Sequence, residues 1–141
     1  MMTKTMRTLF IALSLSLGLV GSAVAQCDSI ATLCAKKITA NYISDGQSYR
    51  ALLNGDEVAE FQAVFYGGST YRIAGCSGFT DGNLVFTLFD EEHNLLFTSS
   101  DHKNTPYWDF KFGSTVNCII EARLNSNNVK SGCATMVIGF K

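Results

Sequence analysis

The stretch Val116–Leu124, which reads VNCIIEARL, decides the fold class. The side chains of one parity are all apolar: Val116, Cys118, Ile120, Ala122 and Leu124. The other parity carries Asn117, Ile119, Glu121 and Arg123. Such alternation is typical of a β-strand with one buried face and one solvent-exposed face. This stretch therefore predicts a strand in a sheet that covers an apolar core.

Short runs rich in β-branched and aromatic residues precede and follow this strand. They are Ser48–Asn54, Val58–Tyr66, Thr70–Cys76, Asn83–Phe89, Leu95–Ser99, Tyr107–Phe112 and Gly132–Phe140. The clusters between them are turn-like, and the Asn-Gly and Gly-Gly pairs are strong hairpin signals. About eight evenly spaced strands predict an all-β fold over residues 45–141, an antiparallel β-sandwich of jelly-roll type.

Parity also predicts which strands are central and which aromatic residues are buried. Trp108 shares the inward parity of Phe110 and Phe112, so we expect it in the core. The runs Leu84–Phe89 and Ala134–Phe140 are apolar on both parities, which suits central strands covered on two sides. An N-terminal helix is the natural cover for one of them.

The N-terminal region predicts export followed by a short helix. Residues 1–25 have a positive start, an apolar stretch and the small-x-small pattern Ala23-Val24-Ala25, as in a signal peptide. Cleavage before Gln26 would release the chain to the periplasm or the exterior. Residues 26–44 form the next segment, in which helical spacing predicts a helix over Asp28–Ile38.

The charge of the chain argues against a nucleic-acid partner, and its hydropathy argues against a membrane-spanning segment. Cleavage removes Lys4 and Arg7, which leaves 9 basic residues against 12 acidic ones, a net charge of −3 over 116 residues. A nucleic-acid partner is not expected for a chain without a basic surface. No integral membrane segment is expected either, because no stretch approaches the roughly 20 apolar residues of a membrane helix.

The chain has five cysteines, Cys27, Cys34, Cys76, Cys118 and Cys133. An oxidising compartment would favour two disulfides and one free thiol, and the sequence leaves the arrangement open. We prefer a Cys76–Cys133 bridge, because the end of one strand lies beside the start of its antiparallel neighbour. Cys118 lies in mid-strand and is expected to be a buried free thiol. If Cys27 and Cys34 share a helix, they are too far apart to bond each other.

The cluster Asp90, Glu91 and Glu92 is the one candidate for a metal. Clustered carboxylates on a loop suit calcium, whereas the alternative is an ordinary solvated hairpin tip. No other cofactor is expected. The chain has no G-x-S-x-G motif and no marked acid pair, so we expect no enzymatic activity.

Four residues are candidates for ligand binding: Tyr66, Arg72, Tyr107 and Asp109. Parity places both tyrosines on polar faces, where a ring could stack on a sugar or anchor a protein partner. The alternative is ordinary packing of tyrosine at the rim of a sheet.

From Phe61 to Lys141 the chain resembles the bacterial pre-peptidase C-terminal domain, a small jelly-roll-like β-sandwich. The resemblance lies in Tyr71-Arg72-Ile73, in Val85–Asp90 continuing to Leu95-Leu96-Phe97, and in Ile119–Ala122. With its Ile138–Lys141 tail, the chain is also similar to short exported bacterial proteins of unassigned function. The resemblance implies the fold more than a function. We expect an exported binding module for a protein or carbohydrate partner, with an assembly subunit or a small hydrolase as alternatives.

Overall fold

The computed structural model describes residues 21–141, with side-chain burial and contacts from Cys27 onward. One helix, α1 (Gly21–Ala35), precedes eight strands. The strands are β1 (Ile43–Asn54), β2 (Val58–Phe65), β3 (Thr70–Cys76), β4 (Leu84–Asp90), β5 (Leu95–Thr98), β6 (Tyr107–Lys111), β7 (Val116–Leu124) and β8 (Ser131–Phe140). A single 3-10 turn, Ser99–His102, connects β5 to β6. The signal peptide predicted for residues 1–25 lies mostly outside the described residues.

The strands form two antiparallel four-stranded sheets. Sheet A has the order β1-β8-β3-β6, and sheet B has the order β2-β7-β4-β5. The first strand thus pairs with the last, the second with the seventh, the third with the sixth and the fourth with the fifth. This pairing is the jelly-roll arrangement, which confirms the predicted fold class. β1 begins at Ile43, ahead of the predicted Ser48, and its register with β8 shifts between Ser44 and Ser48.

The core lies between the sheets and is formed by the apolar parity of each strand. Phe65, Phe86, Leu88, Ile120 and Met136 have no exposed surface. The alternation predicted for Val116–Leu124 is confirmed, since its inward residues are buried except for the half-buried Val116.

Helix α1 covers the outer face of sheet A, where it packs on β8, β3 and β1. Its buried residues Ile30 and Cys34 face Cys133 and Val137 of the central strand β8. In the described part of the chain the helix covers Gly21–Ala35, so it extends ahead of the predicted Asp28 and ends before the predicted Ile38. No helix in residues 21–141 is both long and apolar enough to cross a membrane.

Two disulfides fasten α1 to sheet A. Cys27 is bonded to Cys133, and Cys34 is bonded to Cys76, with Cα–Cα distances of 5.4 and 5.8 Å. The predicted Cys76–Cys133 bridge is therefore wrong. β3 and β8 are antiparallel neighbours as expected, but Thr135 is the residue opposite Cys76, so Cys133 lies two residues past that register.

The spacing of the helical cysteines explains the observed pairing. Cys27 and Cys34 are seven residues apart, which places them on one face of the helix two turns from each other. As expected from this separation, they do not bond each other. Cys27 is bonded to β8 and Cys34 to β3. Cys118 is free and buried, which confirms that prediction. Burial raises the pKa of its thiol to about 11.

Candidate functional site

Arg72 and Asp109 form a bidentate ion pair on the outer face of sheet A. Arg72 Nε donates to Asp109 Oδ1 at 2.7 Å, and Nη2 donates to Oδ2 at 2.9 Å. The two residues are directly opposite each other in the β3–β6 register. The arginine side chain is 13% exposed and the aspartate side chain 41%.

Two tyrosine rings and a backbone carbonyl complete the surroundings of Arg72. Its guanidinium carbon lies 4.3 Å from the ring centroid of Tyr107 and 4.8 Å from that of Tyr42. Its Nη1 donates to the carbonyl oxygen of Lys37 at 3.1 Å. The ring centroid of Tyr42 also lies 4.8 Å from Lys141 Nζ. The arrangement ties the segment after α1 to β3 and β6.

The electrostatic interactions in this cluster stabilise the ionised carboxylate of Asp109 and the protonated guanidinium of Arg72. Hydrogen bonds from Arg72 lower the pKa of Asp109, and the same bonds raise the pKa of Arg72. Burial raises the pKa of Tyr42. All three guanidinium nitrogens of Arg72 donate to partners within the chain, so Tyr107 and Asp109 are the more exposed members of the cluster.

Three of the four predicted ligand-binding residues thus come together, and Tyr66 does not. Tyr66 directly follows β2 in sheet B, and its backbone N–H donates to the hydroxyl oxygen of Tyr71 at 2.9 Å. Its side chain is 62% exposed. Tyr42 belongs to the Arg72 cluster but was not predicted, because it lies in the segment that the sequence marks only as helical.

The predicted calcium cluster lies in the β4–β5 hairpin. Asp90 Oδ1 accepts hydrogen bonds from the backbone N–H groups of Glu92 and Asn94, and Oδ2 accepts from the Asn94 amide. Glu91 accepts from the side chain of Asn117 at 2.8 Å. Within residues 21–141, no group of three or more His, Cys, Asp or Glu residues is arranged to hold a metal ion.

Trp108 points inward as its parity predicts, but the prediction that it is buried in the core is wrong. It is 37% exposed, and its ring centroid lies 4.1 Å from that of His102 and 5.2 Å from that of Phe97. β6 is an edge strand, so no further strand covers this side chain.

The loop between β3 and β4 carries the most exposed large apolar side chain in the described part of the chain. Phe79 is 74% exposed and lies between Gly78 and Gly82, whose φ angles are +72° and +88°. We call residues 77–83 the Phe79 loop. The sequence contained one signal for it, a single large apolar residue within a run of turn residues.

Bonds at both ends hold the Phe79 loop in place. The Cys34–Cys76 disulfide lies at its start. The Asn83 amide donates to the carbonyl oxygen of Ser77 at 3.0 Å, which closes the loop on itself. Lys37 Nζ lies 2.9 Å from Asp81 Oδ1, and the Asn125 amide donates to the Gly82 carbonyl oxygen at 3.1 Å.

These features define a disulfide-fastened jelly-roll sandwich with one protruding loop. The chain is similar in fold to Aeromonas hydrophila PliG, a periplasmic lysozyme inhibitor of g-type lysozyme, with 10% identity and a TM-score of 0.52 over 67% of this chain and 85% of that one. A de novo designed double-stranded β-helix matches with 12% identity and a TM-score of 0.34 over 67% of this chain and 99% of the design, and no argument rests on it. No family model and no curated protein matches the chain, so the pre-peptidase C-terminal resemblance stays a prediction.

Proposed function

We propose that the mature chain is an exported, non-enzymatic module that binds a protein partner through the Phe79 loop. The observation that carries this proposal is an aromatic side chain 74% exposed on a loop held at both ends. Exposing so much apolar surface is unfavourable in the free protein. A partner that buries the Phe79 ring would recover that free energy.

The bonds of the loop are what make Phe79 suitable as an anchor. Aromatic side chains that enter a pocket of the partner contribute most of the binding energy of many interfaces. A loop that is already ordered loses little conformational entropy on binding. The disulfide, the Lys37–Asp81 ion pair and the two asparagine amides supply that order before a partner arrives.

A lysozyme is the first partner to test. PliG, which shares the fold, is described as an inhibitor of g-type lysozyme in the periplasm. Two disulfides in this chain favour the same kind of oxidising compartment. We therefore propose inhibition of a lysozyme, outside the cytoplasm, as the specific form of the binding role.

The alternative of an assembly subunit depends on the free strand edges. β1 is the longest edge strand and could pair with another chain. Its register shift between Ser44 and Ser48 interrupts the ladder, which makes continuous pairing less favourable. We therefore favour binding through the loop.

Photocrosslinking tests the proposal at the residue that carries it. A photoreactive phenylalanine analogue at position 79 should form an adduct with purified g-type lysozyme, because the ring would lie inside the interface. The same analogue at position 95 is the control, since Leu95 is 58% exposed at the start of β5, and β4 separates it from the loop. An adduct from position 79 alone supports the proposal, whereas an adduct from position 95, or from neither position, contradicts a lysozyme complex formed through this loop.

A further inference from the structure

A groove of about 920 Å³ lies between the edge of sheet A at β1 and the edge of sheet B at β2, separate from the Phe79 loop. Its polar lining includes Asp45, Gln47, Gln62, Tyr66, Glu91 and Asn117. We call it the Tyr66 groove. Its volume falls within the roughly 300–1,000 Å³ typical of small-ligand sites. It is therefore large enough for a ligand of several rings.

Three primary amides supply most of the hydrogen-bonding capacity of the Tyr66 groove. The Gln47 carbonyl oxygen accepts from the Tyr49 hydroxyl at 2.9 Å, which leaves its NH₂ group available. Asn117 uses one N–H on Glu91 at 2.8 Å and keeps its carbonyl oxygen. In the described part of the chain, the Gln62 amide has no hydrogen-bond partner. The groove thus offers both donors and acceptors.

The charge of the groove excludes anionic ligands. Asp45 and Glu91 line it, and no Lys, Arg or His of the described chain does. Both carboxylates are already partly engaged, since Asp45 accepts from the backbone N–H of Gln47 and Glu91 accepts from Asn117. The three amides can donate as well as accept, unlike the carboxylates, and this mixed capacity matches the hydroxyl groups of a neutral ligand.

An exposed aromatic ring lies beside these polar groups. Tyr66 is 62% exposed, and its backbone N–H is held by the Tyr71 hydroxyl. Val64, 47% exposed, is two residues away on the same strand face as Gln62. The groove therefore combines an apolar stacking surface with amide groups.

From this arrangement we propose that the Tyr66 groove binds a neutral oligosaccharide. Sugar hydroxyls both donate and accept, so they can satisfy the free groups of Gln47, Gln62 and Asn117. The apolar C–H face of a pyranose ring can stack on the ring of Tyr66, while the tyrosine hydroxyl stays exposed to solvent. This binding does not depend on the Phe79 loop or on a protein partner.

Titration of the ¹⁵N-labelled mature chain tests the proposal by NMR. The probes are cellohexaose, maltohexaose and chitohexaose, with hexalysine as the cationic comparison. We expect at least one oligosaccharide to shift the amide signals of Gln62, Tyr66 and Asn117, with a Kd between about 10 μM and 1 mM. Hexalysine should shift them less at the same concentration.

Substitutions at the groove separate this site from others. Tyr66→Ala should weaken binding about tenfold, and Gln62→Ala about threefold to tenfold, because each removes one exposed contact. Leu52→Ala is the control, because Leu52 is 57% exposed on β1 but does not line the groove, and it should leave the Kd unchanged.

Three results would overturn the proposal. One is the absence of shifts at about 5 mM of every oligosaccharide. Another is a stronger response to hexalysine, which would mark the groove as a cation site. The third is equal loss of binding in Tyr66→Ala and Leu52→Ala. None of these results bears on the Phe79 loop.

Discussion

The disulfide between Cys34 and Cys76 joins α1 to the residue at which the Phe79 loop departs from β3. One covalent bond thus contributes both to the packing of the helix on sheet A and to the position of the exposed ring. The second disulfide, Cys27–Cys133, also fastens the helix but lies at the start of β8. The two bonds therefore have separable consequences.

Removal of the Cys34–Cys76 bond should loosen the loop as well as the fold. The variant Cys34→Ala/Cys76→Ala is expected to lose about 3–5 kcal/mol of unfolding free energy, and so is the control Cys27→Ala/Cys133→Ala. The first should show the faster amide hydrogen exchange in residues 77–83 under native conditions, because Cys76 directly precedes the loop in the chain, whereas Cys133 only packs beside Cys76. Equal exchange of that loop in both variants would contradict the role assigned to Cys34–Cys76.

Gly139 allows the segment after α1 to approach β8 closely. A methyl group at this position would lie 2.7 Å from Cγ2 of Ile38 and 3.2 Å from Cβ of Tyr42. Both atoms are close to the backbone, so the segment itself would have to move. We expect Gly139→Ala to lower the unfolding free energy by about 1–3 kcal/mol, measured by urea denaturation.

Gly113→Ala is the control for this substitution, because nothing lies within 4 Å of the added methyl group. It should change the unfolding free energy by less than about 0.5 kcal/mol. Similar losses in the two variants would mean that the close approach at Gly139 does not constrain the packing.

The Arg72–Asp109 pair should make stability depend on pH in acid. The pKa of Asp109 is lowered in the folded chain, so the pair stabilises fully above the unfolded pKa of about 3.9 and loses that contribution as the pH falls through the folded value. Asp109→Asn should therefore cost about 1 kcal/mol near pH 6, a modest figure because Asp109 is 41% exposed. The cost should shrink as the pH drops below about 4.

Thermal unfolding of the wild type, Asp109→Asn and Asp56→Asn between pH 3 and pH 7 measures this effect. Asp56 is exposed in the β1–β2 turn and makes no ion pair within the described residues. Its substitution should leave the pH profile unchanged. A difference between Asp109→Asn and the wild type that stays constant over the whole range would contradict the assignment.

The sequence predicted the fold well because its signals are local. Alternation along Val116–Leu124 and the turn pairs between runs depend only on neighbouring residues, and they locate eight strands and their buried faces. The disulfide pairing depends instead on register and on a helix lying over the sheet. A shift of two residues between β3 and β8 was enough to make Cys76–Cys133 wrong.

The sequence predicted those residues of the Arg72 cluster whose position follows from strand parity alone. Arg72, Tyr107 and Asp109 come together because they share one face of two paired strands. Trp108 has the expected orientation, but its exposure depends on β6 being an edge strand, which its own sequence does not reveal. Phe79 becomes notable only once the contacts that hold its loop are known.

The most direct test of binding through the Phe79 loop is the affinity of the mature chain for g-type lysozyme, measured by isothermal titration calorimetry with Phe79→Ala and the control Leu95→Ala. If the Phe79 loop is the anchor, the wild type and Leu95→Ala should bind with the same Kd, and Phe79→Ala should bind about 30-fold more weakly, equivalent to about 2 kcal/mol. Equal Kd values for the wild type and Phe79→Ala, or no binding by the wild type, would contradict the claim.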